Sequence, residues 1–143
     1  MTKQLITVIV SAILILPLGM LGCSDKSVYL ERAEWVLESY GTVGQTQTTL
    51  PDTEITLAFD DEENGISGTA GCNDYFAEYD ISDRFISIGR LGSTRMYCQD
   101  PRGTMEQELE YLEILQKSES YVIQDNELII LSSGSQILEF NPR

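Results

Sequence analysis

From Ile55 onward the chain is cut into short segments that alternate apolar and polar residues, each closed by a turn signal. That rhythm leaves few folds open. Ile55-Thr56-Leu57-Ala58-Phe59 has the period of two of a half-buried strand. The acidic stretch Asp60 to Gly65 ends in Asn-Gly, a pair that suits a tight hairpin because both residues tolerate positive φ. Ile66 to Ala70 resumes extended structure, Tyr75 to Ile81 alternates again, and Phe85 to Ile88 pairs with it across Ser82-Asp83. Tyr121-Val122-Ile123 and Leu128 to Leu131 flank Asp125-Asn126, and Ile137 to Phe140 follows a Ser/Gly turn. Seven short strands joined mainly by tight turns predict antiparallel pairing, since a parallel pair needs a long crossover. Ahead of them stand a brief apolar run, Trp35-Val36-Leu37, and a polar loop from Gly41 to Thr49.

One segment breaks the rhythm. Between Asp100 and Lys117 the spacing predicts a helix, with Pro101 offered as its first residue and Thr104 to Gln107 as a second start of capping-box type. Met105, Leu109, Leu112 and Leu115 fall on one face and are predicted to meet the core, with Glu106, Glu110 and Glu113 elsewhere. The expected class is mainly β with one helix (α+β): a curled antiparallel sheet with the helix closing one face or end.

The first residues carry an address. Met1-Thr2-Lys3 is a short positive end, and Leu5 to Leu21 is almost wholly apolar, broken by Pro17 and Gly19. A spanning helix wants about 20 apolar residues, so the run reads instead as a secretory signal peptide. It ends in Met20-Leu21-Gly22-Cys23, which resembles a bacterial lipobox, where cleavage precedes a lipidated cysteine. Residues 1–22 are thus expected to be a lipoprotein signal, Cys23 the lipidation site (palmitate among its acyl chains), 23–33 a tether and 34–141 the folded domain. An uncleaved anchor and an ordinary signal with a spare cysteine are the other readings. Ser24, with Asp25 one place later, favours the outer membrane, facing the periplasm, if the cell has two.

Charge and cysteine usage narrow the function. The formal charge is −14, with 23 acidic and 9 basic side chains and no histidine. Nucleic acid is excluded as a partner, because phosphate binding needs clustered cations. Anionic headgroups would repel the chain, so acyl chains rather than a basic patch would hold it at a membrane. With Cys23 assigned to lipid, Cys72 and Cys98 remain as an even pair in a compartment that permits disulfides. A disulfide there is worth about 3.5 kcal/mol on the loop-entropy account. Free buried thiols are the alternative. Two thiols without histidine make no usual zinc set, so no metal or cofactor is expected. Triads built on histidine are impossible, no glycine-rich loop opens a helix, and no catalytic residue is assigned.

Several elements in order resemble the META domain family, whose members include HslJ-like lipoproteins. They are Trp35-Val36-Leu37; Ser67-Gly68 followed by Gly71-Cys72-Asn73 and aromatic Tyr75; Thr94-Arg95-Met96 with Cys98; Glu106 and the leucines after it; and the closing hairpin to Phe140. The resemblance implies a small partial barrel with one packed helix, and associations with envelope stress and antibiotic tolerance. It brings no catalytic mechanism. The expected function is a non-enzymatic envelope lipoprotein acting by contact with another envelope component, and the alternative is a small-molecule or lipid binder using a groove of the sheet.

Three features invite sharper readings. Asp60, Glu62 and Asn64 alternate before Gly65 like calcium ligands, but the closing glutamate of an EF-hand is missing, since that place is Gly71. A solvated turn is expected. Gly71 to Asp74 reads as a local backbone device rather than a polar site. Arg95 is expected to be partly buried and paired with Asp74 or Glu106.

Overall fold

The computed structural model describes residues 30, 31 and 33–143; the signal-peptide, lipidation and most of the tether expectations lie outside them. The elements run β1 (Trp35–Thr42), β2 (Gln45–Thr48), β3 (Thr56–Asp60), β4 (Gly65–Thr69), β5 (Asp74–Ser82), β6 (Phe85–Ile88), β7 (Gly92–Ser93), α1 (Thr104–Gln116), β8 (Ser118–Gln124), β9 (Glu127–Ser132) and β10 (Gln136–Pro142). Eight strands close on themselves in the order β1-β3-β4-β5-β6-β8-β9-β10, with β10 returning to β1 and every pairing antiparallel. The curled sheet is therefore a closed barrel, which leaves no free edge among its eight staves. β2 extends the end of β1, and β7 lies beside β5.

The turn signals do what the sequence asks of them. Asn64, Asp83, Asp125 and Asn126 all adopt positive φ at the tips of hairpins. Period-two alternation then sends one set of side chains inward. Trp35, Leu57, Phe59, Ile66, Tyr75, Leu128, Ile130, Leu138 and Phe140 are buried among one another. Tyr75, Tyr111 and Phe140 meet edge to face, with ring centroids 5.7 and 6.5 Å apart.

Three expectations need correction. Residues 41–49 are not a loop: β1 runs to Thr42 and turns through Val43-Gly44 into β2. β2 is exposed along its whole length, so it carries no apolar alternation to betray it. Counting β1, β2 and the short β7, ten strands among the described residues replace seven. The helix begins at Thr104 behind Gly103, whose φ of 99° makes it the cap; Pro101 precedes the helix, and no side chain caps it.

The helix also turns a different face inward. Thr104, Gln107, Glu108, Tyr111, Ile114 and Leu115 are buried, Met105 and Leu112 half-buried, and Leu109 is 61% exposed. The reason is that the first half of α1 lies against the hydrogen-bonding groups of Leu50, Thr53, Cys72 and Asn73. There, polar Gln107 and Glu108 meet needs that leucine does not. Gln107 accepts from Leu50 N at 2.7 Å and donates to Thr53 Oγ1 at 3.0 Å.

Candidate functional site

β4 and β5 are joined by a corner, residues 70–73, that brings together most of the motif residues. Gly71 takes φ of +107°, a conformation L side chains rarely adopt. This lets the chain double back so that Ala70 N donates to Asn73 O at 2.8 Å. Cys72 is bonded to Cys98, with Cα atoms 5.9 Å apart, so the corner is tied covalently to the segment that follows β7.

Asn73 is buried and fully occupied. Its Oδ1 accepts from Thr94 Oγ1 at 2.8 Å and Met96 N at 2.6 Å, and its Nδ2 donates to Met96 O at 3.1 Å. Thr94 also accepts from Asp74 N at 3.2 Å. From the helix side, Glu108 closes the arrangement. Its carboxylate accepts from Cys72 N at 3.3 Å, Asn73 N at 2.8 Å and Asn73 Nδ2 at 2.8 Å. One side chain thus satisfies two buried backbone N–H groups and the second N–H of the Asn73 amide.

Gly68 is explained one strand away. It faces Tyr75 directly, and a Cβ there would lie 2.0 Å from Thr56 O and 3.0 Å from the Tyr75 hydroxyl. Through that gap Tyr75 donates to Thr56 O at 2.7 Å, and the two tyrosine hydroxyls lie 2.6 Å apart. Tyr75 has given its proton to the carbonyl, so Tyr111 is the donor between them. Burial pushes both phenols above their ordinary pKa, Tyr111 strongly. Neither is poised for acid–base work near neutral pH.

The remaining motif residues divide sharply. Trp35 is fully buried and donates from Nε1 to Leu30 O at 3.0 Å. Arg95, Met96 and Tyr97 stand outside. Arg95 corrects its expectation: it is exposed and takes no part in the ion pairs found among the described residues, which join Arg143 to Glu34 and Glu54. It lies in the loop whose backbone Asn73 holds at Met96, and its side chain is left to solvent. Met96 and Tyr97 are 59% and 75% exposed. Glu106 is exposed as well; the acid that matters is Glu108.

Glu108 is the residue that periodicity misses. Its signal is positional: it shares a helix face with Thr104, Tyr111 and Leu115, at spacings of four, three and seven. A carboxylate on that face asks for donors. In the acidic hairpin, Asp60 Oδ1 accepts from Glu62 N at 3.0 Å and Glu63 N at 3.2 Å, as a turn-closing group does. Among the described residues no group of three or more Cys, Asp or Glu side chains is arranged to hold a metal ion.

Solved structures share the barrel. A protein from Burkholderia xenovorans, determined by NMR, is 22% identical with a TM-score of 0.68, covering 100% of this chain and 99% of its own. A second NMR structure is 23% identical, TM-score 0.60, over 80% of this chain and 92% of its own. A DUF4847 family protein from Bacteroides vulgatus, a crystal structure, is 12% identical, TM-score 0.57, over 81% and 96%. At these identities the likeness is one of fold. No curated protein matches the chain. The META domain matches residues 28–143, which take in the whole barrel, the Gly-Cys-Asn corner and its disulfide partner, and the chain belongs to the META domain family.

Proposed function

We propose that this protein is a non-enzymatic lipoprotein of the cell envelope, anchored through Cys23 and, in a cell with two membranes, facing the periplasm from the outer membrane. It supports envelope integrity under stress by contacting another envelope component. One observation carries the reading: the corner commits its polar groups inward, to Asn73, Thr94 and Glu108, while holding Met96 and Tyr97 outward. A loop fixed in this way loses little conformational freedom on binding, which favours a contact surface. Chemistry, by contrast, needs groups free to exchange protons with a substrate. Asn73, Tyr75, Glu108 and Tyr111 are buried and already partnered.

The test places a photo-crosslinking residue at Tyr97 in intact cells, with and without Cys23→Ala. A discrete adduct that depends on Cys23, and loss of stress survival in both Cys23→Ala and Met96→Asp/Tyr97→Asp cells, is the expected result. Survival unchanged by Cys23→Ala overturns the anchored reading. Survival unchanged by the loop substitutions overturns the contact.

A further inference from the structure

In a chain with 23 acidic side chains, one segment carries the opposite charge. Residues 89–103 hold Arg90, Arg95 and Arg102, three of the nine basic side chains, against one acid, Asp100. All three arginines are exposed. None enters an ion pair among the described residues, where the pairs join Arg143 to Glu34 and Glu54. An arginine left unpaired in so acidic a chain keeps its guanidinium fork open to a carboxylate from outside.

Exposed apolar side chains border this segment on both flanks. Along one flank it is pinned to α1. Gln116 donates to Ile88 O at 2.9 Å and accepts from Leu91 N at 3.0 Å, and farther along Met105 Sδ accepts from Cys98 N at 3.4 Å. Leu109 and Leu112 fall on that same side of the helix, because 105, 109, 112 and 116 follow one another at spacings of three and four. Leu109 thus extends the exposed surface of Met96 and Tyr97. On the other flank, exposed Phe76 lays its ring tip over Gly92, where a Cβ would come within 2.6 Å of Cζ. The glutamates of α1 lie farther round the helix, and Glu110 accepts from Gln47 of β2 at 3.1 Å.

We propose that this ribbon docks an acidic polypeptide segment that also carries apolar side chains. The proposal rests on the contact reading above and names the chemistry of the partner. Arginine, aromatic rings and methionine are the side chains that interfaces concentrate. The rest of the molecule repels an acidic partner, but at about 0.1 M salt that repulsion is screened beyond roughly 10 Å, while charges in contact keep their attraction. Two other anions fit less well. The chain enters the barrel at Trp35, at the end that bears the 60–65 turn, and the corner with its arginines stands at the opposite end. The membrane holding the anchor is therefore not what the arginines face. An acidic glycan asks for amides and hydroxyls, and those of Asn73, Thr94 and Gln116 are turned to the protein itself.

The probe is a fluorescein-labelled peptide, Glu-Leu-Gly-Glu repeated three times, titrated by anisotropy into the full chain in non-ionic detergent at about 0.1 M salt. The expected result is saturable one-to-one binding, absent for the same peptide with glutamine in place of glutamate. Arg90→Gln/Arg95→Gln/Arg102→Gln and Leu109→Glu each weaken it at least tenfold. Glu113→Lys, one helical turn from Leu109, tightens it severalfold, a gain that a misfolded variant does not give. No saturable binding of the acidic peptide overturns the proposal, as does an affinity indifferent to the arginine substitutions. Tighter binding of polygalacturonate, or of phosphatidylglycerol vesicles, also overturns it. So does self-association lost in the triple arginine variant, which makes the occupant a second copy. If any of these failures comes with a Tyr97 adduct retained in cells, the contact stands and only its chemistry is rejected; loss of that adduct as well rejects the contact.

Discussion

The barrel is held shut in two places by opposite means. At the seam where its ends meet, β1 and β10 pair from Trp35↔Pro142 to Thr42↔Gln136, broken once by a bulge between Leu37 and Ser39. Behind that ladder sit Trp35, Leu37, Tyr40, Leu138 and Phe140, all buried. At the corner, the joining is done by one disulfide, one asparagine and one carboxylate. The seam is redundant: many similar bonds share the strain, and no single polar group matters much. The corner has no such reserve, because its bonds converge on two side chains, Asn73 and Glu108, each of which serves several partners. Damage at the seam should therefore unfold the whole barrel, whereas damage at the corner should open residues 93–98 first.

The largest effect belongs to the seam. Trp35→Ala empties the largest buried site of the core and is expected to cost about 4 kcal/mol. Urea unfolding followed by far-UV circular dichroism measures it, since the chain has one tryptophan and the variant has none. The transition should stay single and cooperative with an unchanged slope. A second, earlier transition would show that the seam, too, opens locally, and the contrast would collapse.

Next in size is the covalent part of the corner. Removing the Cys72–Cys98 bond by paired serine substitution is expected to cost about 3.5 kcal/mol, on the loop-entropy account. Hydrogen exchange at the amides of Met96 and Cys98 should quicken before that of Leu128 and Ile130. Uniform quickening would mean that the bond supports the barrel as a whole.

Glu108→Gln tests the polar part. The shape is kept, but a carboxylate accepting from three donors becomes an amide with one oxygen and a misplaced N–H pair, for about 2 kcal/mol. Arg95 supplies the readout, because it is exposed within the loop and is a tryptic site. Trypsin should cut after Arg95 in the native-like Glu108→Gln protein, at urea concentrations where Leu128 and Ile130 remain protected. In Trp35→Ala the same cut should follow global unfolding. Protection of Arg95 in the Glu108 variant would place the strength of the corner in the disulfide alone.

The same division decides what the sequence makes legible. The seam and the hairpins are periodic: inward residues alternate, and Asn64, Asp83 and Asn126 sit where positive φ is required. Local pattern is enough to find them, and the pairing of β5 with β6 follows. The corner is built from contacts 21 to 36 positions apart, made by side chains to backbone and to one another, and no period reports those. Resemblance found Gly71, Cys72, Asn73, Thr94 and Cys98; it could not show that Asn73 binds Met96 on both its N–H and its C=O. β2 was hidden for the reverse reason, since its residues face solvent on both sides and bury nothing.

The smallest effect is the sharpest check on how the helix meets these two regions. Counting leucines puts Leu109 at the centre of the buried face, and its replacement by glutamate there would unfold the protein. In the structure Leu109 is 61% exposed, while Leu115, farther along, is fully buried. The difference follows from the corner: Glu108 must face Cys72 and Asn73, and that fixes the rotation of the whole helix. Leu109→Glu is therefore expected to change stability by no more than about 0.5 kcal/mol, as surface substitutions do. Leu115→Ala is expected to cost about 3 kcal/mol. Both are read from the same urea curves. If Leu109→Glu proves the costlier of the two, α1 is turned the other way, Glu108 leaves the corner, and the account of its three donors fails with it.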